Sequence, residues 1–289
     1  DVYSERRKEM RYSAHGSLKD LNDVSALSVD EDQRQELYTK RWAIGGTGFL
    51  GSFNDLLTNA DANYTAAEYV RQQIKRVVKD KETAEILCPR SYPIGTKRIC
   101  IDTGYFETYN RENVKLVDIS KKSIQRLVTD GIIVDDQLYP FDSIIFATGF
   151  DAMTGSIFNV DIKGRDGLAL KEKWNAGPKT YLGLMSASFP NLFMITGPGS
   201  PSVKSNMIMS IEQHVDLVIE TLLAMRRKGL SVVEPELEAE NKWVDHVQEV
   251  ANKTLFPQAN SWYVGANIPG KPRLFMPYIG GVGAYREIC

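Results

Sequence analysis

Cysteine is scarce in this 289-residue chain, which has only Cys88, Cys100 and Cys289. An odd set without CxxC spacing excludes a disulfide-stapled scaffold and fits a reducing compartment, so a cytoplasmic location is expected. Histidine is as sparse: His15, His214 and His246 stand far apart, no His/Cys cluster forms, and no metal site is expected. An excess of basic charge is also missing. With 35 Lys and Arg against 37 Asp and Glu, the net charge is −2, which argues against a nucleic-acid binder with its basic stripe. Long apolar runs are absent. Those at 144–146 and 192–196 fall far short of the ~20 residues that span a bilayer, so no membrane partner is expected. There is no GxSxG elbow, which disfavours acyl transfer. The opening Asp1-Val2-Tyr3 has neither an initiator Met nor a signal-peptide core, and a partial chain is expected from that.

What is present reads as one large domain or two smaller ones. Residues 1–92 are helical in pattern and charged. Ser28-Val29-Asp30-Glu31 and Thr65-Ala66-Ala67-Glu68 both match a capping box, a hydroxyl followed three residues later by a carboxylate. The second is expected to open a helix with Val70, Ile74, Val77 and Val78 on its apolar face. Pro89 ends a further short helix after Leu87. Beyond Pro93 the pattern turns to strands. Val114 to Asp118 alternates, and 124–128 and 132–134 flank Asp130-Gly131 as a hairpin. Ser143 to Gly149 and Leu192 to Gly197 read as buried parallel strands. A long helix carrying Met207, Ile211, Val215, Val218 and Leu222 follows and stops at Gly229. A last helix from about Pro235 holds Trp243, Val247 and Val250, and the tail from Trp262 reads as a long ordered loop.

Gly46-Thr47-Gly48-Phe49-Leu50-Gly51 matches GxGxxG. A dinucleotide turn needs a buried strand before it and an acidic strand end roughly twenty residues on. Here Glu36 to Trp42 is helical in pattern, and the later position falls inside a helix. A glycine-rich turn between helices is the expectation.

Five stretches in order carry a family resemblance. They are 92–98 (Tyr-Pro-Ile-Gly-Thr-Lys-Arg), 141–155 with its Ala147-Thr148-Gly149, 177–183, 197–207 (Gly-Pro-Gly-Ser-Pro-Ser through Ser-Asn-Met), and 261–273. Together they resemble type I Baeyer–Villiger monooxygenases of the phenylacetone and cyclohexanone monooxygenase kind. The resemblance implies an α/β fold: part of a two-dinucleotide-binding-domain flavoprotein with a helical insertion, its FAD and NADP glycine turns absent from this chain. By that match, 1–92 is the helical insertion of the NADP domain, 93–148 holds the last strands of that domain, and 149–289 is the C-terminal half of the FAD domain. The missing N-terminal half of the same enzyme is then a required partner.

The resemblance implies FAD and NADP as cofactors, and a ketone and O2 as substrates. The implied reaction inserts one oxygen atom beside the carbonyl through a C4a-peroxyflavin. Such chemistry calls for a cation that cannot give up its proton, and arginine, with a pKa above ~12, is suited to it. Arg98 matches the family's catalytic arginine. Lys97 would lie near the 2′-phosphate of NADPH; the plainer reading is a surface lysine. Ala147, Thr148 and Gly149 lack bulk and let a cofactor approach, or else pack tightly between domains. Asn206 and Met207 are expected on the flavin side, and Trp262 over the nicotinamide, or as a hydrophobic anchor. Met153, Ser202, Val203 and Lys204 are the expected substrate-pocket residues. Lys204 either points to solvent or lends the pocket a charge. Two other readings stand: a related flavin monooxygenase acting on nitrogen or sulfur, and a non-catalytic partial chain.

Overall fold

The computed structural model describes residues 2–18 and 21–289. Helices dominate. In chain order they are α1 (Val2–Tyr12), α2 (Glu31–Ile44), α3 (Ala60–Val77), α4 (Lys81–Leu87) and α5 (Tyr105–Thr108), then α6 (Gly155–Phe158), α7 (Leu170–Lys173), α8 (Met207–Arg227), α9 (Leu237–Asn252) and α10 (Val282–Ile288). Between α5 and α6 lies an antiparallel sheet of three strands in sequence order: β1 (Ile124–Val128), β2 (Gly131–Val134) and β3 (Gln137–Pro140).

Both early helices are present but start elsewhere than the capping boxes suggested. Asp30 caps α2: its carboxylate accepts from Gln33 N at 2.8 Å, and the Gln33 side chain accepts from Asp30 N at 3.3 Å. Asn59 caps α3, accepting from Asp61 N and Ala62 N, and Thr65 lies inside the helix, where its hydroxyl bonds Ala62 O at 2.8 Å. An Asx side chain reaches the free amides of a first turn as well as a hydroxyl does, so a nearby Asp or Asn outcompetes the Ser or Thr motif. The GxGxxG stretch is a 3-10 turn, Gly46–Gly51, entered from α2 rather than from a strand. It serves packing. Phe49 is buried with Tyr38, Phe53 and Leu56, and its ring stacks on Tyr69 with centroids 5.8 Å apart.

The hairpin at 124–134 is present and gains a third strand. Asp135 and Asp136, both at positive φ, form the two-residue turn from β2 into β3. Three other expected strands are not. Residues 114–118, 144–149 and 192–197 have no strand pairing. A parallel strand draws its hydrogen bonds from separate neighbours, and among the described residues none lies beside 144–149, whose Ile145 is 91% exposed and Phe146 66%. At 192–197 the backbone is held by other means: Met194 N donates to Leu184 O at 2.7 Å, and Thr196 turns to φ 54°. The Gly-rich tail also holds α10, which a reading as loop passed over.

Helix α8 runs to Arg227 with Lys228 as its cap residue, and α9 buries Trp243, Val247 and Ala251. Trp243 and Val247 pack with Leu182, Leu184, Tyr278 and Tyr285 in one core. A second core of Phe256, Tyr263, Val264 and Phe275 reaches Leu57 of the N-terminal part and Val203. Leu255 N donates to Leu57 O at 2.8 Å, fastening the two halves there. No helix among the described residues is long and apolar enough to cross a membrane.

Candidate active site

Two loops carry half of the expected site residues, and buried side chains far off in sequence hold both. The first is the turn at 93–98. Thr96 closes it, donating from N and from Oγ1 to Pro93 O at 3.2 and 2.5 Å. Asn63 of α3, 3% exposed, bolts the turn to the helix. Its amide donates to Leu56 O at 2.7 Å and to Ile94 O at 2.9 Å, and its carbonyl accepts from Ile94 N at 2.9 Å. Gly95 sits at φ 84° with Leu50 and Leu57 closed over it. A Cβ there would come within 2.7 Å of the Leu50 side chain, so both the backbone and the space call for glycine. The turn projects Lys97 and Arg98. The Lys97 ammonium stands 4.5 Å from the centre of the Tyr92 ring.

The second is the loop 197–206. Thr180 Oγ1 donates to Pro198 O at 2.6 Å, Trp243 Nε1 to Gly199 O at 3.1 Å, and Tyr278 N to Ser200 O at 2.8 Å. His214 of α8, fully buried, holds the segment before it: its Nδ1 accepts from Thr196 N at 2.9 Å. That leaves the ring proton on Nε2, 3.0 Å from the Tyr285 hydroxyl, which in turn donates to Leu182 O at 2.5 Å. Burial pushes the His214 imidazole down to about 4, so it is neutral at neutral pH. The loop does not run straight into α8, as the sequence suggested; the helix begins only at Met207. Asn206 is its cap, accepting from Ile208 N at 3.1 Å, and its own amide donates to His15 O at 2.8 Å. Met207 turns back on the loop, its Sδ accepting from Val203 N at 3.1 Å.

Arg98 and Lys204 line one cleft of about 230 Å³, together with Gly95, Phe256 and Tyr278. The Lys204 ammonium lies 4.0 Å from the centre of the Phe256 ring and 4.2 Å from that of Tyr263, with Gly95 O at 3.5 Å. Of the two readings open for this residue, the structure takes the one that turns it into the cleft. Burial, and then the positive charge of Arg98, pull the Lys204 ammonium down to about 7. Burial raises the Tyr263 phenol, against a lowering pull from Arg98. No Asp or Glu is among the cleft's lining residues, and neither cation has a carboxylate partner among the described residues.

The remaining expected residues divide. Val203 and Trp262 pack on the core of Phe256 and Tyr263, with the Trp262 and Tyr263 rings 4.2 Å apart, so Trp262 is an anchor in this structure. Ser202 is buried, and its hydroxyl has no hydrogen-bond partner among the described residues. Met153, at φ 71°, is not on the cleft. Its segment is tied instead to the loop after Trp262, where Lys271 pairs with Asp151 and donates to Ala152 O at 3.0 Å, and Asn267 donates to Phe150 O at 2.8 Å. Ala147, Thr148 and Gly149 are exposed and are not on the cleft's lining. Sequence reasoning did not single out Asn63, His214, Phe256 or Tyr263. Each acts through a contact far off along the chain, and the local pattern gives no sign of it.

A Baeyer–Villiger monooxygenase of Pseudooceanicola batsensis is 40% identical over 266 residues, covering 91% of this chain and 48% of that protein. The chain belongs to the Baeyer–Villiger monooxygenase family. Among solved structures, an oxidized steroid monooxygenase bound to NADP superposes with a TM-score of 0.91 at 46% identity, over 99% of this chain and 54% of that one. A complex of OTEMO with FAD and NADP gives a TM-score of 0.93 at 34% identity, over 99% of this chain and 53% of that one. No protein-family model matches. The chain thus spans about half the length of the Baeyer–Villiger family relatives it matches, and its fold is that of a partial two-nucleotide flavoprotein.

Proposed function

We propose that the chain is the C-terminal portion of an FAD- and NADPH-dependent monooxygenase that inserts one oxygen atom beside a ketone carbonyl to give an ester or lactone. Residues 1–92 serve as the helical insertion of its NADP domain, 93–148 as that domain's last strands, and 149–289 as the second half of its FAD domain. The other half of the enzyme completes the site. The observation that carries this reading is the cleft itself: Arg98 opens onto it from a turn that Asn63 holds, with no carboxylate on the lining.

The donor set fits both nucleotides. Lys97 and Arg98 are adjacent cations suited to phosphate, one as a point charge and the other as a fork of donors. The Ala147–Gly149 backbone is exposed and unhindered by bulk, and Asn206 with Met207 marks the start of α8 beside the cleft. FAD, when bound, would carry electrons from NADPH to O2, one atom of which is delivered and the other released as water. The chain's own part is electrostatic. Arg98 offers the cleft a guanidinium with its fork of N–H donors, a group suited to stabilising an oxygen anion without protonating it. The apolar walls formed by Leu50, Leu57 and Phe256 lower the local dielectric and strengthen that interaction.

The test uses the full-length enzyme with phenylacetone and 18-O2. Arg98→Ala and Arg98→Lys are expected to lower ester formation by about 100-fold or more, while NADPH consumption continues with release of hydrogen peroxide. Full ester yield from Arg98→Ala would overturn the proposal, as would an enzyme that forms sulfoxides or N-oxides and no ester.

A further inference from the structure

Lys204 is a second cation in a cleft where one cation suffices for the proposed chemistry. A neutral ketone has no use for it. The side chain reaches from the loop 197–206 over the rings of Phe256 and Tyr263, with ring centres 4.0 and 4.2 Å away, and its one hydrogen bond among the described residues, to Gly95 O at 3.5 Å, is long. An ammonium has three donors, so most of its bonding capacity is unspent on the side that faces the cavity. The Arg98 guanidinium shares that cavity and repels it. Nothing acidic on the lining relieves the two charges. An aliphatic side chain of similar volume would fill the same space over the rings without desolvating a charge.

Resting on the function proposed above, we infer that Lys204 selects ketones that carry a carboxylate, pairing with that group while Arg98 attends the reacting carbonyl end. The ligand class is a keto acid with an apolar skeleton, because Leu50, Leu57, Ile99, Phe256 and Ile279 give the cleft a largely apolar wall, interrupted by His15, Ser205, Thr254 and Tyr278. A carboxylate arriving there neutralises the pair and accepts the unused ammonium donors in a low-dielectric setting, where a charge-assisted hydrogen bond is strong. The downward pull on the Lys204 ammonium, to about 7, is the mark of a charge held without such a partner.

A nucleotide phosphate offers the same anionic chemistry, so the experiment separates the two. It compares 4-oxo-4-phenylbutanoate with its methyl ester on the full-length enzyme, for wild type, Lys204→Met and Lys204→Arg. It reads kcat/KM for each ketone, KM for NADPH, and the affinity of both ketones by calorimetry. Wild type is expected to prefer the acid over the ester by about tenfold or more, the gain of one charge-assisted bond. Lys204→Met should remove that preference with the NADPH KM unchanged, and Lys204→Arg should keep most of it. An equal loss for acid and ester, or a raised NADPH KM with the acid preference intact, overturns the inference. If no ketone is oxygenated but Lys204→Met still abolishes selective binding of the acid, the selectivity stands and the proposed reaction falls.

Discussion

His214 gives the fold a pH-dependent fastening. Its ring is 0% exposed, accepts from the Thr196 amide through Nδ1, and is held near 4 by burial, against about 6.5 for a free histidine. Protonating Nδ1 would turn an acceptor into a donor facing another donor, so the charged form is shut out of the folded state. The folded value lies below the unfolded one, and the unfolded chain therefore binds more protons between the two. Stability is fully present above about pH 6.5 and falls as the pH drops toward 4. Linkage with those two values gives a loss of about 2 kcal/mol between about pH 7.5 and pH 5. The assay is urea unfolding followed by tryptophan fluorescence at both pH values, on wild type and His214→Gln. The variant is less stable at either pH because it loses a buried bond, but it lacks the titration. The quantity that matters is the drop from pH 7.5 to pH 5, since carboxylates shared by both proteins cancel in the comparison. Wild type should lose about 2 kcal/mol more than the variant. Equal drops, within about 0.5 kcal/mol, would refute the reasoning.

Two further outcomes follow from buried charge. Affinity for 4-oxo-4-phenylbutanoate should fall as the pH rises past about 7, where the Lys204 ammonium gives up its proton, with the midpoint moved upward by the ligand itself. Arg98, His15 and Tyr278 also line the cleft, so calorimetry on Lys204→Met, which should bind with no such pH dependence, assigns the effect. Separately, Glu240 of α9 is fully buried, pairs with Lys173 at 2.7 Å and accepts from Ser186 Oγ and Ala187 N at 2.9 Å each. Glu240→Ala strands the ammonium and should cost about 3–5 kcal/mol in a denaturant titration, with Glu240→Gln costing less.

How far the sequence could be read depended on where each element finds its bonds. Helices α2, α3, α8 and α9 bond within themselves and were legible in the sequence pattern; only the starts of α2 and α3 were misplaced, because Asp30 and Asn59 cap where a hydroxyl motif lay nearby. The hairpin β1–β2 pairs across a few residues and was legible, whereas β3 was missed because the Asp135-Asp136 turn lacks the usual glycine. The motifs singled out Arg98 and Lys204 on two separate loops. They did not show that the two share a cleft, since that depends on Asn63, Leu57 and Phe256 drawing 93–98, 197–206 and 254–263 together across nearly the whole chain.

The failure at 144–149 follows from the same physics and bears on the site. Ser143 to Gly149 has the composition of a strand buried on both faces, yet it lies open with Ile145, Phe146 and Phe150 in solvent. Burying those three side chains is worth about 1.5–3 kcal/mol each, but an extended segment cannot collect it until neighbouring strands satisfy its amides and carbonyls. The Arg98 turn and the Lys204 loop need no such help, being fixed by Asn63, Thr180, Trp243 and His214 from within the chain. The cationic half of the cleft is therefore self-supporting. The Ala147–Gly149 segment, assigned above to the cofactor, takes its geometry only when strands from outside these residues pair with it.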